Sequence, residues 1–217
     1  MTSFDNPAHK IAEFLLQIKA VKLEPEQPFT WASGIKSPIY CDNRKTLSYP
    51  KIRTYIRQQF VESVNEHFGK PDVIAGVATG GIALGALVAQ EMGLPFVYVR
   101  SEAKKHGLTN MIEGVVESGQ SVVVIEDLVS TGGSSLKAVE ALRAKGCVVK
   151  GMVAIFTYEF EEARNNFKQA KCNLKTLTNY STLIDIAYKK EYIAKKDIES
   201  LKQWKLNPAG WAESLVK

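Results

Sequence analysis

The chain reads as an α/β protein with a central parallel sheet flanked by helices. Three observations predict this. Short apolar runs rich in branched residues recur at VIAGVA (73–78), FVYV (96–99), VVVIE (122–126) and VVKGMVAIF (148–156). Their near-continuous hydrophobicity suits strands covered on both faces. Helical patterns lie between them, at IALGALVAQEM (82–92) and residues 134–145. Finally, 217 residues of which 45% are hydrophobic suffice for one compact domain with a sizeable core.

The elements follow in order. In residues 8–20, Ile11, Phe14, Leu15 and Ile18 share a helical face. Residues 26–45, with Pro28, Gly34 and Pro38, predict short strands and loops. Residues 51–68 are helical, with Ile52, Tyr55, Ile56, Phe60 and Val64 on one side. The strand–helix alternation then begins, interrupted by a polar stretch from 100 to 120 that lacks periodicity. Such a stretch inside a compact domain is usually functional or disordered. Residues 158–217, including DIESLKQW, read as a helical and partly stranded C-terminal annex.

Composition narrows the class. No apolar run reaches the length of a membrane span, and the N-terminal MTSFDNPAHKIAEF lacks the regions of a signal peptide. Three scattered cysteines, Cys41, Cys147 and Cys172, without a CxxC, predict reduced thiols and a cytoplasmic protein. A net charge of +5 without a basic–aromatic block argues against nucleic acid and suits anionic ligands.

Three motifs stand at carboxyl ends of expected strands or ahead of the sheet. The first is VVVIEDLVSTGGSS, where a buried strand meets Glu126 and Asp127, and then Ser130, Thr131, Gly132, Gly133, Ser134 and Ser135 lead into a helix. Backbone N–H groups of such a turn attract phosphate. The acids suit sugar hydroxyls or the waters around Mg²⁺. The second is RSEAKKHGLTNMIEGVVESGQ, whose head carries Arg100, Lys104, Lys105 and His106. Cations on a mobile loop beside a phosphate turn suit a lid that closes over a departing anion. The third, FTWASGIKSPIYCDNRKTLSYP, holds turn residues with Lys36, Arg44 and Lys45 nearby. Walker A and dinucleotide glycine patterns are absent from the sequence.

The first motif resembles the signature of the type I phosphoribosyltransferases, which bind 5-phosphoribosyl 1-diphosphate (PRPP). The lid narrows the resemblance. Arg100, Glu102, Ala103, Lys104, His106 and Gly107 match the R-x-E-A-K-x-H-G pattern of the orotate phosphoribosyltransferase family. The third motif is similar to that family's F-x-x-x-SG-x-xSP-x-Y hood segment, in its Gram-positive branch. The resemblance implies the type I fold over 1–217 as a single domain, with a hood (about 1–50), core (about 70–157) and annex (about 158–217). It implies transfer of phosphoribose from PRPP to orotate, with Mg²⁺ riding on the diphosphate rather than held by protein alone. It implies a homodimer whose lid reaches the neighbouring site.

By the same resemblance, Lys104 is central to catalysis, and Arg100 and His106 contact diphosphate. Glu126 and Asp127 hold the ribose hydroxyls, Leu128 and Val129 are the apolar pair of the signature, and Thr131 to Ser134 grip the 5′-phosphate. Backbone groups near Tyr40 and Cys41, together with Lys36 and Ser130, serve orotate. Some members carry Lys at the positions of Ala32 and Gly80, Arg at Tyr158, and a second Lys at Ser101. Two rival readings are a phosphoribosyltransferase for another base and a PRPP-sensing regulator. Against the regulator, only one helix is expected in the first 25 residues, too little for a helix-turn-helix.

Overall fold

The computed structural model describes residues 6–31, 34–100 and 111–211. Ahead of the sheet, helix α1 (Pro7–Gln17) starts at Asn6, whose side chain accepts the Ala8 N–H. Two small antiparallel pairs follow, β1 (Val21–Leu23) with β4 (Ile39–Cys41), and β2 (Phe29–Thr30) with β3 (Lys36–Ser37). A 3₁₀ helix, Asn43–Ser48, runs into α2 (Pro50–Phe68), which has proline in its first turn.

The main sheet has six strands in the order β10-β9-β8-β5-β6-β7. β5 (Val73–Val77), β6 (Phe96–Val99), β8 (Ser121–Val129), β9 (Val148–Thr157) and β10 (Leu174–Asn179) run parallel, and β7 (Ile112–Glu113) is antiparallel to β6. The strands are linked or followed by α3 (Gly80–Met92), α4 (Gly133–Ala144), α5 (Glu161–Gln169), α6 (Tyr180–Lys189) and α7 (Asp197–Leu206).

Alternate residues of each strand feed two separate cores, as a period of two requires. Ile74, Val123, Ile125, Val153 and Ile155 pack with α1, α2, α6 and α7. Val73, Ala75, Val122, Val124 and Ala154 pack against α4 and α5. Burial of each branched side chain contributes about 1.5–3 kcal/mol.

Two differences from the sequence expectation matter. The strand expected at 122–126 continues to Val129, because Leu128 and Val129 still pair with Phe156 and Thr157 of β9. The acids therefore lie inside its last turns of pleat. Within the expected annex, β10 pairs with β9 and extends the same sheet.

Near the C-terminus, Trp204 is fully buried against Tyr158, Phe160 and Tyr180, with Trp31 of the β2–β3 hairpin edge-on at 5.7 Å. This aromatic cluster ties α7 to the end of β9 and to the hairpin.

Candidate active site

The sheet itself places the site. β6 lies on one side of β5 and β8 on the other, so the chain changes direction between β5 and β8. Open α/β sheets bind ligands outside the carboxyl ends of strands at such a point. A cavity of about 480 Å³ opens there. Val77 to Gly80 from the end of β5 form one wall, and Glu126 to Leu128 with Ser130 to Ser135 form another. Cys41, Asp42 and Arg44 lean in from the N-terminal segment.

The acid pair is the electrostatic centre. Glu126 is only 4% exposed, although it lines the cavity. Its carboxylate accepts the Ser135 hydroxyl at 2.7 Å and the Asp127 N–H at 2.9 Å. Burial, and then the neighbouring Asp127 charge, push the Glu126 carboxyl up to about 8. Burial also raises the Asp127 carboxyl, with the Arg44 charge opposing the shift. Two like charges in one poorly solvated corner favour holding one proton between them. The site is therefore set to receive a partner that offers hydroxyl donors or positive charge.

The turn after β8 reaches α4 through Gly132, whose φ of +86° belongs to the left-handed region. It brings Ser130, Thr131, Gly133 and Ser134 around the start of α4, where free N–H groups favour an anion. The Thr131 carbonyl accepts the Asn166 side-chain amide at 2.9 Å, which anchors the turn to α5. Across the cavity, Gly80 leaves room for the acid: a Cβ built there would collide with the Asp127 carboxyl.

Of the expected site residues, Glu126, Asp127, Leu128, Ser130, Thr131, Gly132, Gly133, Ser134 and Cys41 all line this one cavity. Val129 does not. It is fully buried in the α4–α5 core, because pleat alternation sends it to the face opposite Leu128. Tyr40 is 39% exposed and packs on Phe29 outside the cavity wall. Lys36 donates to the Thr30 hydroxyl at 2.7 Å, held along its own hairpin.

Arg100 follows β6, with its guanidinium 3.4 Å from the Glu113 carboxylate. Lys104, His106 and the rest of 101–110 lie outside the described residues, as does Ala32. Tyr158 is buried and stacks on Phe160 at 5.3 Å, so no cation stands at that position. Arg44, noted in the sequence only as a nearby cation, lines the site, and so does Asp42, which the sequence does not single out. Asn43 carries no sequence signal at all, yet its side-chain amide donates to the Asp127 carbonyl at 2.7 Å.

Comparison with known proteins agrees with this geometry. Residues 47–180 match the phosphoribosyl transferase domain family. The orotate phosphoribosyltransferase of Phocaeicola vulgatus is 61% identical over 200 residues, 92% of this chain and 94% of that protein. The crystal structure of orotate phosphoribosyltransferase from Aeropyrum pernix aligns with a TM-score of 0.73 at 28% identity, covering 85% of this chain and 99% of that one. Leishmania donovani UMP synthase aligns with a TM-score of 0.77 at 28% identity, over 91% of this chain but 42% of that longer one. Sheet, cavity and relatives converge, and the chain belongs to the orotate phosphoribosyltransferase family.

Proposed function

We propose that this chain transfers the 5-phosphoribosyl group of PRPP to orotate, giving orotidine 5′-monophosphate and diphosphate in pyrimidine nucleotide synthesis. The observation that carries the reading is one cavity in which a buried acid pair faces a glycine–hydroxyl turn at a helix N-terminus. An acid pair suits a diol and the turn suits a phosphate. A sugar phosphate presents both.

The bond that breaks joins the ribose anomeric carbon to the diphosphate oxygen, and the bond that forms joins that carbon to a ring nitrogen of orotate. Positive charge grows on the ribose and negative charge on the departing diphosphate. The Glu126 and Asp127 carboxyls hold the ribose 2′- and 3′-hydroxyls and lie on the side where positive charge develops. Thr131 to Ser134 fix the 5′-phosphate through N–H groups and hydroxyls, which orients the anomeric carbon. Arg100, Lys104 and His106 stabilise the diphosphate as it leaves, with Lys104 the principal cation. The N-terminal segment around Lys36, Tyr40 and Cys41 covers the base, and Ser130 lies between base and sugar.

The donor set suits Mg²⁺, since the charged groups offered by the cavity wall include the hard carboxylate oxygens of Asp42, Glu126 and Asp127. Among the described residues no cluster of three or more ligating side chains could hold a metal. In this reading the ion arrives on the diphosphate, and when bound it would neutralise that leaving group. A homodimer with the lid reaching the neighbouring site, and a cytoplasmic location, complete the proposal. No helix among the described residues is long and apolar enough to cross a membrane.

Loss of orotate absorbance only when PRPP and Mg²⁺ are both present is the expected result. No change, with PRPP binding still detectable, would point to another base or to a regulator. Replacing Lys104→Ala should lower kcat by roughly 10²-fold or more while the fold survives, as removal of a transition-state donor does. Turnover near that of the parent protein would remove Lys104 from the mechanism.

A further inference from the structure

Asp127 sits where its strand has lost a neighbour. β5 pairs with β8 only as far as Gly76 opposite Ile125, whereas β8 runs on to Val129. The Asp127 backbone thus stands beyond the last β5 pairing, and side chains complete its hydrogen bonds. Its N–H donates to the Glu126 carboxylate at 2.9 Å, and its carbonyl accepts from the Asn43 amide at 2.7 Å. Asn43 comes from the N-terminal segment, 84 positions away, and is 1% exposed.

The orientation of that amide is itself fixed. The Cys41 thiol, 3.3 Å from the Asn43 side-chain oxygen, donates to it, which leaves the NH₂ facing Asp127. The Asn43 carbonyl accepts the Thr46 hydroxyl at 2.6 Å, so the backbone at this point is held as well. Cys41 lines the cavity and Asn43 does not. A chain of two hydrogen bonds therefore runs from Cys41 in the cavity lining, through a buried amide, to the backbone of the acid.

We infer that Asn43 is a positioning residue. It sets the Asp127 carboxylate through its backbone and ties the N-terminal segment to the ribose site. This rests on the sugar-phosphate reading of the cavity. The physical reason is that a carboxylate on a strand paired on one side only, with β9 and no longer with β5, keeps its aim only if the open side of its backbone is also fixed. A displacement of about 1 Å in such a group costs on the order of 10²-fold in rate.

The test is a double-mutant cycle. Asn43→Ser and Asn43→Ala, which remove the amide without adding a charge, are each built in the parent protein and in an Asp127→Asn background. In the parent, both should raise KM for PRPP by roughly five- to tenfold, the value of one buried hydrogen bond. Melting temperature should change little for at least one of them. In the Asp127→Asn background the same substitutions should have almost no further effect on KM, because the group they aim is already disabled. A purely structural role for Asn43 would instead give the same fold-change in both backgrounds, and that result would overturn the inference. Calorimetric titration of PRPP into each variant separates the two levels. If the parent binds PRPP but does not consume orotate, the reaction assignment fails while the cycle, read as Kd, still decides the role of Asn43.

Discussion

Two turns carry a strand into a helix on facing walls of the cavity, and both are rich in glycine for different reasons. After β5, Gly80 and Gly81 have ordinary backbone angles but no spare volume. A Cβ at Gly80 would strike the Asp127 carboxyl, and one at Gly81 would strike the Ile125 carbonyl oxygen. After β8, Gly132 is required by its φ of +86°, whereas Gly133 has nothing within 4 Å of an added Cβ. Identical composition thus hides three physical constraints, namely room for a charged side chain, room for a neighbouring backbone and a left-handed angle. The fourth glycine answers to none of them.

That contrast can be broken at graded positions. The largest effect should come from Gly80→Ala, which forces the Asp127 carboxyl to rotate away. We expect kcat/KM for PRPP to fall on the order of 10²-fold with the melting temperature nearly unchanged, since a side chain rather than backbone must move. An equal fall in stability would mean that Gly80 is a folding residue instead. Gly81→Ala should do the reverse. Its clash is with main chain, so about 1–3 kcal/mol of stability should be lost, measurable as a lowered denaturation midpoint.

The third experiment sharpens the electrostatics of the wall that Gly80 faces. The Glu126 carboxyl is raised to about 8, so the folded protein binds that proton more tightly than the unfolded chain does. The resulting stability is present below the ordinary carboxylate range and is lost as pH rises through about 8. Glu126→Gln removes that loss. Its melting temperature relative to the parent should therefore rise between pH 6 and pH 9, by roughly 5–10 °C, because about 1.4 kcal/mol is lost per pH unit up to the folded value and nothing further above it. A difference independent of pH would show that Glu126 carries no such proton. The smallest effect belongs to Gly133→Ala, expected to change stability by less than about 0.5 kcal/mol in thermal denaturation.

The sequence made the sheet legible wherever both strand faces are buried. VIAGV and VVVI (122–125) carry no polar side chain because α2 and α3 cover one face and α4 the other. β10, LKTLTN, is an edge strand with only Leu177 and Thr178 buried, so it lacked that signature although it pairs along its length with β9. The turn after β8 could be read because its chemistry is local: acids, hydroxyls and glycines adjoin in the chain. Val129 misled for the opposite reason, since only the pleat decides that Leu128 meets the cavity and Val129 the core. Asn43 was invisible because its partner is a backbone carbonyl 84 residues away, and no side-chain pattern encodes a main-chain acceptor.

The aromatic cluster around α7 has an optical consequence. All three tryptophans of the chain, Trp31, Trp204 and Trp211, lie in the core on that side of the sheet, and two of them are almost wholly screened from water. Trp31 alone is on the β2–β3 hairpin, with its indole N–H on the Ile39 carbonyl at 3.2 Å. Emission excited selectively through indole therefore reports the seating of the hairpin against the C-terminal helix. It carries no direct signal from β6 and β7 at the far edge, where tyrosine or a placed label would have to serve.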